Sequence, residues 1–481
     1  MISQKRMNRP STNMVTRLLL VSLSVCFSFL GSALYMLHAQ MSTHDPPQSK
    51  PFGAKTRNDK AFRGGETLKQ YHMVFSTSCS PFQDWQSILF FYFAWKVKQT
   101  GTVTRIASGC TNKQVEQLRQ MHKEQIEILS SNFKLYITPD FNFSGRTKYF
   151  NKPYGLRHWM ENELGYPGGA SEHDDDIIML LDPDMMLLRP LTHTFYDYPS
   201  EIWWNNDFRE IKWEVTHGWP MASIYAFGNS WQTSVNKFGN MTYVVGEGSP
   251  ALKVSRKEAE QLYPAGPPYL ATARDMYAIV KVWTVHVIRY YDVFSGFMSE
   301  MYAYSTAAAH LKLPHQLSIG FMLSNTENKL SEKWNFLNNV SRADSCEPKL
   351  PQNQLPAVFH YCQRYALGRW YFVKYQLRNS FVCTAPLLRV PPRDVGSRYD
   401  WYIFPNEDIK KKFTERNQLI DIIYNSYALC TMIDSWNEVA THYKNHHCKD
   451  DTGNYHKSFV FHTTQKFENF LAHPELEVID S

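Results

Sequence analysis

The sequence predicts an α/β domain with a doubly wound sheet, set behind one N-terminal transmembrane helix. Three observations predict it. Short apolar runs at 72–77, 103–107, 133–138 and 177–181 alternate with helix-prone segments, the pattern of parallel strands joined by helical crossovers. The run Ile177–Leu181 is apolar at every position, as a central strand covered on both faces requires. Leu18–Leu37, LLLVSLSVCFSFLGSALYML, has no charge and is long enough to cross a bilayer core.

Taken in order, residues 1–17 carry Lys5, Arg6, Arg9 and Arg17 with no acid. By the positive-inside rule they form a cytosolic tail, residues 18–38 are an uncleaved signal anchor, and the rest is lumenal. A cleaved signal peptide is the rival reading, but the stretch exceeds a usual h-region and Leu37 spoils a cleavage site at Ala39. Residues 39–70 are polar with Pro and Gly and no apolar period, which reads as a flexible stem. The main domain is expected over 71–395. Helices are expected over Trp85–Lys98, Gln114–Leu129 and Tyr154–Leu164 between the strands, and later at 256–262 and 274–291. Beyond residue 195 the pattern becomes irregular and rich in Trp, Tyr and Pro, as an acceptor-binding half would be. A polar, partly helical extension follows over 396–481, with a helix near Asp408–Glu438.

Composition excludes some classes. The net charge of +6 in 481 residues comes largely from the N-terminal tail, so nothing suggests a nucleic-acid surface. Aromatics reach 15%, and in a chain this long they are core before they are sugar platforms. That holds individually for Trp85, Trp159, Trp203, Trp204 and Trp219. Three sequons, at Asn142, Asn240 and Asn339, all follow the anchor. Seven of the eight cysteines would be lumenal, an odd number, so at least one thiol is left over. Cys430 with Cys448 would close a short local loop, and no spacing suggests a Cys-rich zinc site.

The chemistry-bearing element is Leu181-Asp182-Pro183-Asp184-Met185. Pro183 cannot donate to a ladder, so the strand ends there. Ligands in open α/β sheets collect at the carboxyl ends of strands. Two acids at i and i+2 in that place can hold one hard cation that also bridges a diphosphate. Asp174-Asp175-Asp176 has the same spacing but precedes the strand, and reads as a solvated acidic turn. A GxSxG nucleophile elbow is absent, and Asp182 and Asp184 are too close to straddle a bond as a hydrolase pair would.

Several blocks share their order with a known group. Asn151-Lys152-Pro153-Tyr154, His158-Trp159, the Asp182-Pro183-Asp184 segment and Arg189-Pro190 resemble the hydroxyproline O-arabinosyltransferase and peptidyl-serine α-galactosyltransferase family. So do Asp84-Trp85-Gln86, Gly101–Arg105, Glu300-Met301-Tyr302-Ala303-Tyr304 and His360-Tyr361-Cys362-Gln363-Arg364-Tyr365, with Lys374-Tyr375. Together they cover roughly residues 72–395. The resemblance implies a GT-A-like fold with a mixed, mostly parallel sheet. It also implies a UDP-sugar donor, Mn2+ or another divalent cation, a Golgi or ER location, and a protein or glycopeptide acceptor. The sugar would be galactose or arabinose, passed to serine or hydroxyproline, with retention of configuration. It further implies Asp182 and Asp184 as a metal pair completed by His360, Arg105, Lys152 and Lys374 as candidate diphosphate contacts, and Glu300 as the carboxylate at the reacting centre. A non-catalytic lumenal binding relative is the competing reading, and its mark, loss of either acid, is absent here.

Overall fold

The computed structural model describes residues 69–459, apart from 142–147, 169, 204–209, 226, 239, 328–330, 378–379, 404–410, 414–418, 450–451 and 456–457. The anchor, most of the stem, Asn142 and Trp204 lie outside the described residues. No described helix is long and apolar enough to cross a membrane.

Four parallel strands form one half of a seven-stranded sheet: β1 (Tyr71–Ser78), β2 (Thr102–Ser108), β3 (Phe133–Thr138) and β4 (Ile177–Leu181). Short β5 (Met185–Leu187) follows, outside this sheet, and β6 (Met221–Ile224), β7 (Ala265–Thr272) and β8 (Gln316–Ser318) complete it. The order is β3-β2-β1-β4-β7-β6-β8, and only β7 runs against its neighbours, so the sheet is mixed and mostly parallel as expected. A smaller sheet pairs β5 with β10 (Val358–His360) and β10 with β9 (Met322–Leu323).

The pleat explains the two cores. Successive strand side chains point to opposite faces. Met73, Phe75, Met179 and Leu181 enter one apolar cluster, while Val74, Ile178 and Leu180 enter the other. Helix α1 (Pro81–Lys96) covers the first face, and its ten buried residues in sequence, Trp85–Ala94, show why it has no polar stripe. Exposed α2 (Asn112–Gln125) leads into β3 and is held at its start by a Thr111–Gln114 capping box. The second face is covered by α3 (Asn151–Glu163), then, beyond the one-turn α4 (Ala170–His173), by α5 (Ala273–Val293) and α6 (Ser299–His310). Gly155 lets α3 lie close to the sheet: a Cβ there would meet Ile106 Cγ2 at 3.1 Å.

Strand β7 is the element the sequence reading missed. Pro267 and Pro268 argue against a central strand, yet β7 lies between β4 and β6. The register with β6 shifts between Ala222 and Ser223, opposite these prolines, so their missing N–H groups fall at the irregularity. The irregular half beyond 195 therefore contributes three strands to the main sheet rather than standing apart.

The expected C-terminal helix starts later and runs further, as α7 (Leu419–His447). Its buried face, Ile422 to Ala440, lies in the same apolar cluster as β1 and α1. Cysteine pairing also differs from the local loop expected. Cys346 bonds Cys430 and Cys383 bonds Cys448, while Cys79 bonds Cys110. Cys430 and Cys448 are separated by the last turns of α7, about 27 Å along a helix axis, which no disulfide spans. Among the described residues, Cys362 is the free thiol. Both described sequon asparagines, Asn240 and Asn339, are exposed.

Candidate active site

The site grows from the end of β4. The fully buried strand stops at Leu181, and the amide of Met185 bonds the carbonyl of Asp182 at 3.2 Å, closing a tight turn around Pro183. This turn projects both acids at the carboxyl end of the parallel strands. The chain then enters β5, which pairs antiparallel with β10 so that Met185 faces His360. The Tyr361 amide donates to the Asp184 carbonyl at 3.1 Å and locks that register. A residue 176 positions away thus lands on the acidic turn. Ligand atoms of Asp182, Asp184 and His360 lie within 4.8 Å of one another. Two carboxylates and one imidazole suit a hard or borderline divalent ion such as Mn2+ or Mg2+.

Two lysines flank the acids. Lys152, in the first turn of α3, has its Nζ 2.7 Å from Asp182 Oδ1 and 2.9 Å from Glu300 Oε2. Lys374 forms a buried ion pair with Asp184, whose other oxygen lies 3.3 Å from His360 Nε2. Burial alone would lower the Lys152 pKa, but Asp182 and Glu300 outweigh it and hold the ammonium well above the ordinary lysine range. Asp184 is pushed up by burial, yet the Lys374 and His360 charges hold it well below the usual carboxylate range. For His360, burial opposes the charge, and Cys362 with Asp184 prevails and raises the pKa well above the usual imidazole value. Lys374 also sits over the Tyr375 ring, 5.1 Å from its centroid.

Glu300 stands in the first turn of α6 and is 6% exposed. Burial pushes its carboxyl up, Lys152 pulls it down, and Asp182 adds to the rise, leaving it above its ordinary value. Its Oε2 is held by Lys152, while buried Oε1 has no hydrogen-bond partner. The buried Tyr269 hydroxyl, on β7 in register with Leu180, also lacks one. Unsatisfied buried polar atoms cost free energy, and here two border one acidic cluster. Burial and the charges of Glu300 and Asp182 keep the Tyr269 phenol protonated. Sequence reasoning missed Tyr269, because its Pro-Pro context hid the strand that delivers it.

Arg105 does not join this cluster. It is fully buried between β1 and α1, with Nη2 2.7 Å from Asp84 Oδ1 and Nε 2.9 Å from Thr77 Oγ1. These bonds brace the start of α1, while the buried Arg105 Nη1 has no hydrogen-bond partner. Beyond it, at the carboxyl ends of β1 and β2, a cavity of about 220 Å³ is lined by Ser78, Ser80, Ser108, Gly109, Asp140 and Asn151. Asn151 is the residue before Lys152, so the cavity and the acidic cluster share one helix start. Trp85 and Trp159 behave as packing: both are buried, and the Trp85 indole donates to the Leu377 carbonyl at 3.1 Å.

The chain is 22% identical over 357 residues to the peptidyl serine alpha-galactosyltransferase of Arabidopsis thaliana, aligning 72% of this chain. Over 124 residues, 25% of this chain, it is 30% identical to the peptidyl serine alpha-galactosyltransferase of Chlamydomonas reinhardtii. The chain is similar in sequence to these peptidyl serine alpha-galactosyltransferases. It spans 34% of the Arabidopsis protein's length and 14% of the Chlamydomonas protein's in these alignments. No protein-family model matches it. The solved structure of the galactosyltransferase LgtC with donor and acceptor sugar analogues aligns with 61% of this chain and 87% of that chain, at 13% identity and a TM-score of 0.34. An active-site mutant of LgtC aligns to the same extent.

Proposed function

We propose that this chain is a metal-dependent glycosyltransferase with a GT-A-like domain that passes a sugar from a UDP-sugar to a side-chain hydroxyl of a secretory-pathway protein. The observation that carries this reading is the convergence of Asp182, Asp184 and His360 at the end of β4, with Lys152, Lys374 and Glu300 around them. A divalent cation held by that triad would offset charge on the departing diphosphate. Lys152, between Asp182 and Glu300, and Lys374, beside Asp184, would add point charges for phosphate oxygens bound there. The cavity at Ser78, Ser108 and Asn151 is the place for the nucleoside.

Glu300 then faces the sugar. Its unpartnered Oε1 would accept a hydrogen bond from one sugar hydroxyl, and the Tyr269 phenol would donate one to another sugar oxygen. The transfer is read as retaining, by likeness to the named relatives. Glu300 would accordingly orient the donor, and the acceptor proton would leave with the diphosphate. Galactose to serine and arabinose to hydroxyproline are both compatible with this site. The membrane reading, a single-pass type II protein of the Golgi or ER, rests on Leu18–Leu37 and its basic flank alone.

The experiment is UDP release by the purified full-length chain with Mn2+, across UDP-sugars including UDP-galactose and UDP-arabinofuranose, with serine and hydroxyproline peptides. Metal-dependent release with one donor, abolished in Asp184→Ala, supports the reading. A folded chain that binds neither UDP nor Mn2+ and releases nothing overturns it.

A further inference from the structure

The acidic turn that precedes β4 is solvated at Asp175 but not at Asp176. Asp176 is 6% exposed, and two imidazoles converge on one of its oxygens. His72 Nε2, from the start of β1, lies 3.1 Å from Asp176 Oδ2, and His173 Nδ1, from the end of α4, lies 2.7 Å from the same atom. We propose that His72, His173 and Asp176 form a second metal site, for a zinc-class divalent ion, at the end of the sheet opposite the acidic cluster of Asp182 and Asp184.

Four lines support it. First, the ligand set is two imidazoles and a carboxylate, with ligating atoms within 4.8 Å of one another. Metal–ligand bonds of about 2.0–2.1 Å in a tetrahedron separate neighbouring ligand atoms by about 3.3 Å. The two N···O distances are close to that, and His173 reaches it with a shift of about half an ångström. Second, the outer contacts are those that orient ligands. The other ring nitrogen of His72 lies 3.2 Å from Thr102 Oγ1, and the other Asp176 oxygen accepts the Gln70 amide at 3.1 Å. Third, access is graded. His72 and Asp176 are buried, while the His173 side chain is 29% exposed and leaves the fourth position open to water. Fourth, Asp174 and Asp175 add negative charge on the same turn, the latter 3.3 Å from His217.

The site is independent of the transfer chemistry. Asp176 and Asp182 bracket the five residues of β4, so they stand about 20 Å apart along a strand. The ion would clamp the first strand to the turn feeding the central one. It would act as a structural ion, joining residues 72, 173 and 176, and its binding free energy would add to folding.

The test uses the full-length chain carrying Asp182→Asn and Asp184→Asn, which disables the first cluster. Zinc alone is added after chelation, excess is removed, and bound zinc is counted by elemental analysis beside a thermal melt. The expected result is one zinc per chain and a raised melting temperature, with affinity falling more than ~100-fold when His173→Gln is added. X-ray absorption of the zinc-loaded double variant should show two imidazoles and at least one oxygen, a readout that needs no ligand substitution. A folded double variant that retains no zinc, retention unchanged by His173→Gln, or a zinc shell without histidine would each overturn the proposal.

Discussion

The Lys152 ammonium sits 2.7 Å from the Asp182 carboxylate, joining the first turn of α3 to the end of β4. The same ammonium holds Glu300 at 2.9 Å, so one cation separates two carboxylates. Removing it as Lys152→Met leaves those acids facing each other in a largely buried site. Stability should fall by about 3–5 kcal/mol, and turnover by ~100-fold or more. Chemical denaturation and UDP release on the same preparation check this. A variant as stable as the parent would show that the pair contributes nothing.

His360 reaches the acidic turn through the β5–β10 pairing. His360→Ala should raise the half-saturating Mn2+ concentration by at least ~10-fold while UDP release persists at high metal. Asp184→Asn should abolish metal-stimulated release altogether. Titrating Mn2+ against UDP release separates the two, and identical curves for His360→Ala and the parent would remove His360 from the ligand set.

Arg105 bonds Asp84 through Nη2 and Thr77 through Nε. Arg105→Met should therefore cost about 1–3 kcal/mol of stability and change the donor KM by less than ~3-fold. A large rise in donor KM with an unchanged melting temperature would restore it as a phosphate contact.

His286 lies buried between α5 and α6, with Nδ1 3.1 Å from Thr306 Oγ1 and its ring 5.5 Å from that of His310. Burial, then His310 and Arg289, bring its pKa down from 6.5 to about 3. Across that window the unfolded chain binds a proton that the folded chain does not. Stability should then rise with pH from about 3 to 6.5 and be lost on acidification. Denaturation midpoints against pH should flatten over this range in His286→Asn. An unchanged slope would exclude His286 as the source.

The Cys346–Cys430 bond ties α7 to a loop 84 residues earlier in the chain. Replacing both by serine should cost about 2–5 kcal/mol and loosen the α7 face packed on α1. Hydrogen exchange of 419–447 in the variant and parent measures this, and equal protection would refute it.

Much of the core could be read directly. Strands β1 to β4 and their connecting helices follow from local apolar runs, and Asp182-Pro183-Asp184 announces its place because proline ends the strand that precedes it. Lys152, Glu300, His360 and Lys374 were identifiable through blocks shared in order with a known family, and the fold brings them together. The Lys374 ion pair with Asp184 was not readable, since nothing near either residue encodes a partner 190 positions away.

What the sequence by itself determined is whatever depends on neighbours along the chain: the runs that become β1 to β4, the helices between them, and the acidic turn at the end of β4. Tertiary structure alone decided the rest. It admitted Pro267 and Pro268 to a central strand by setting an irregular register opposite them. It paired Cys430 with Cys346 and Cys448 with Cys383. It withdrew Arg105 into an ion pair and buried Asp176 against two histidines. The physical reason is common to all four. Burial, ion pairing and cross-strand register depend on distances in space, and packing sets those distances between residues that no local pattern relates.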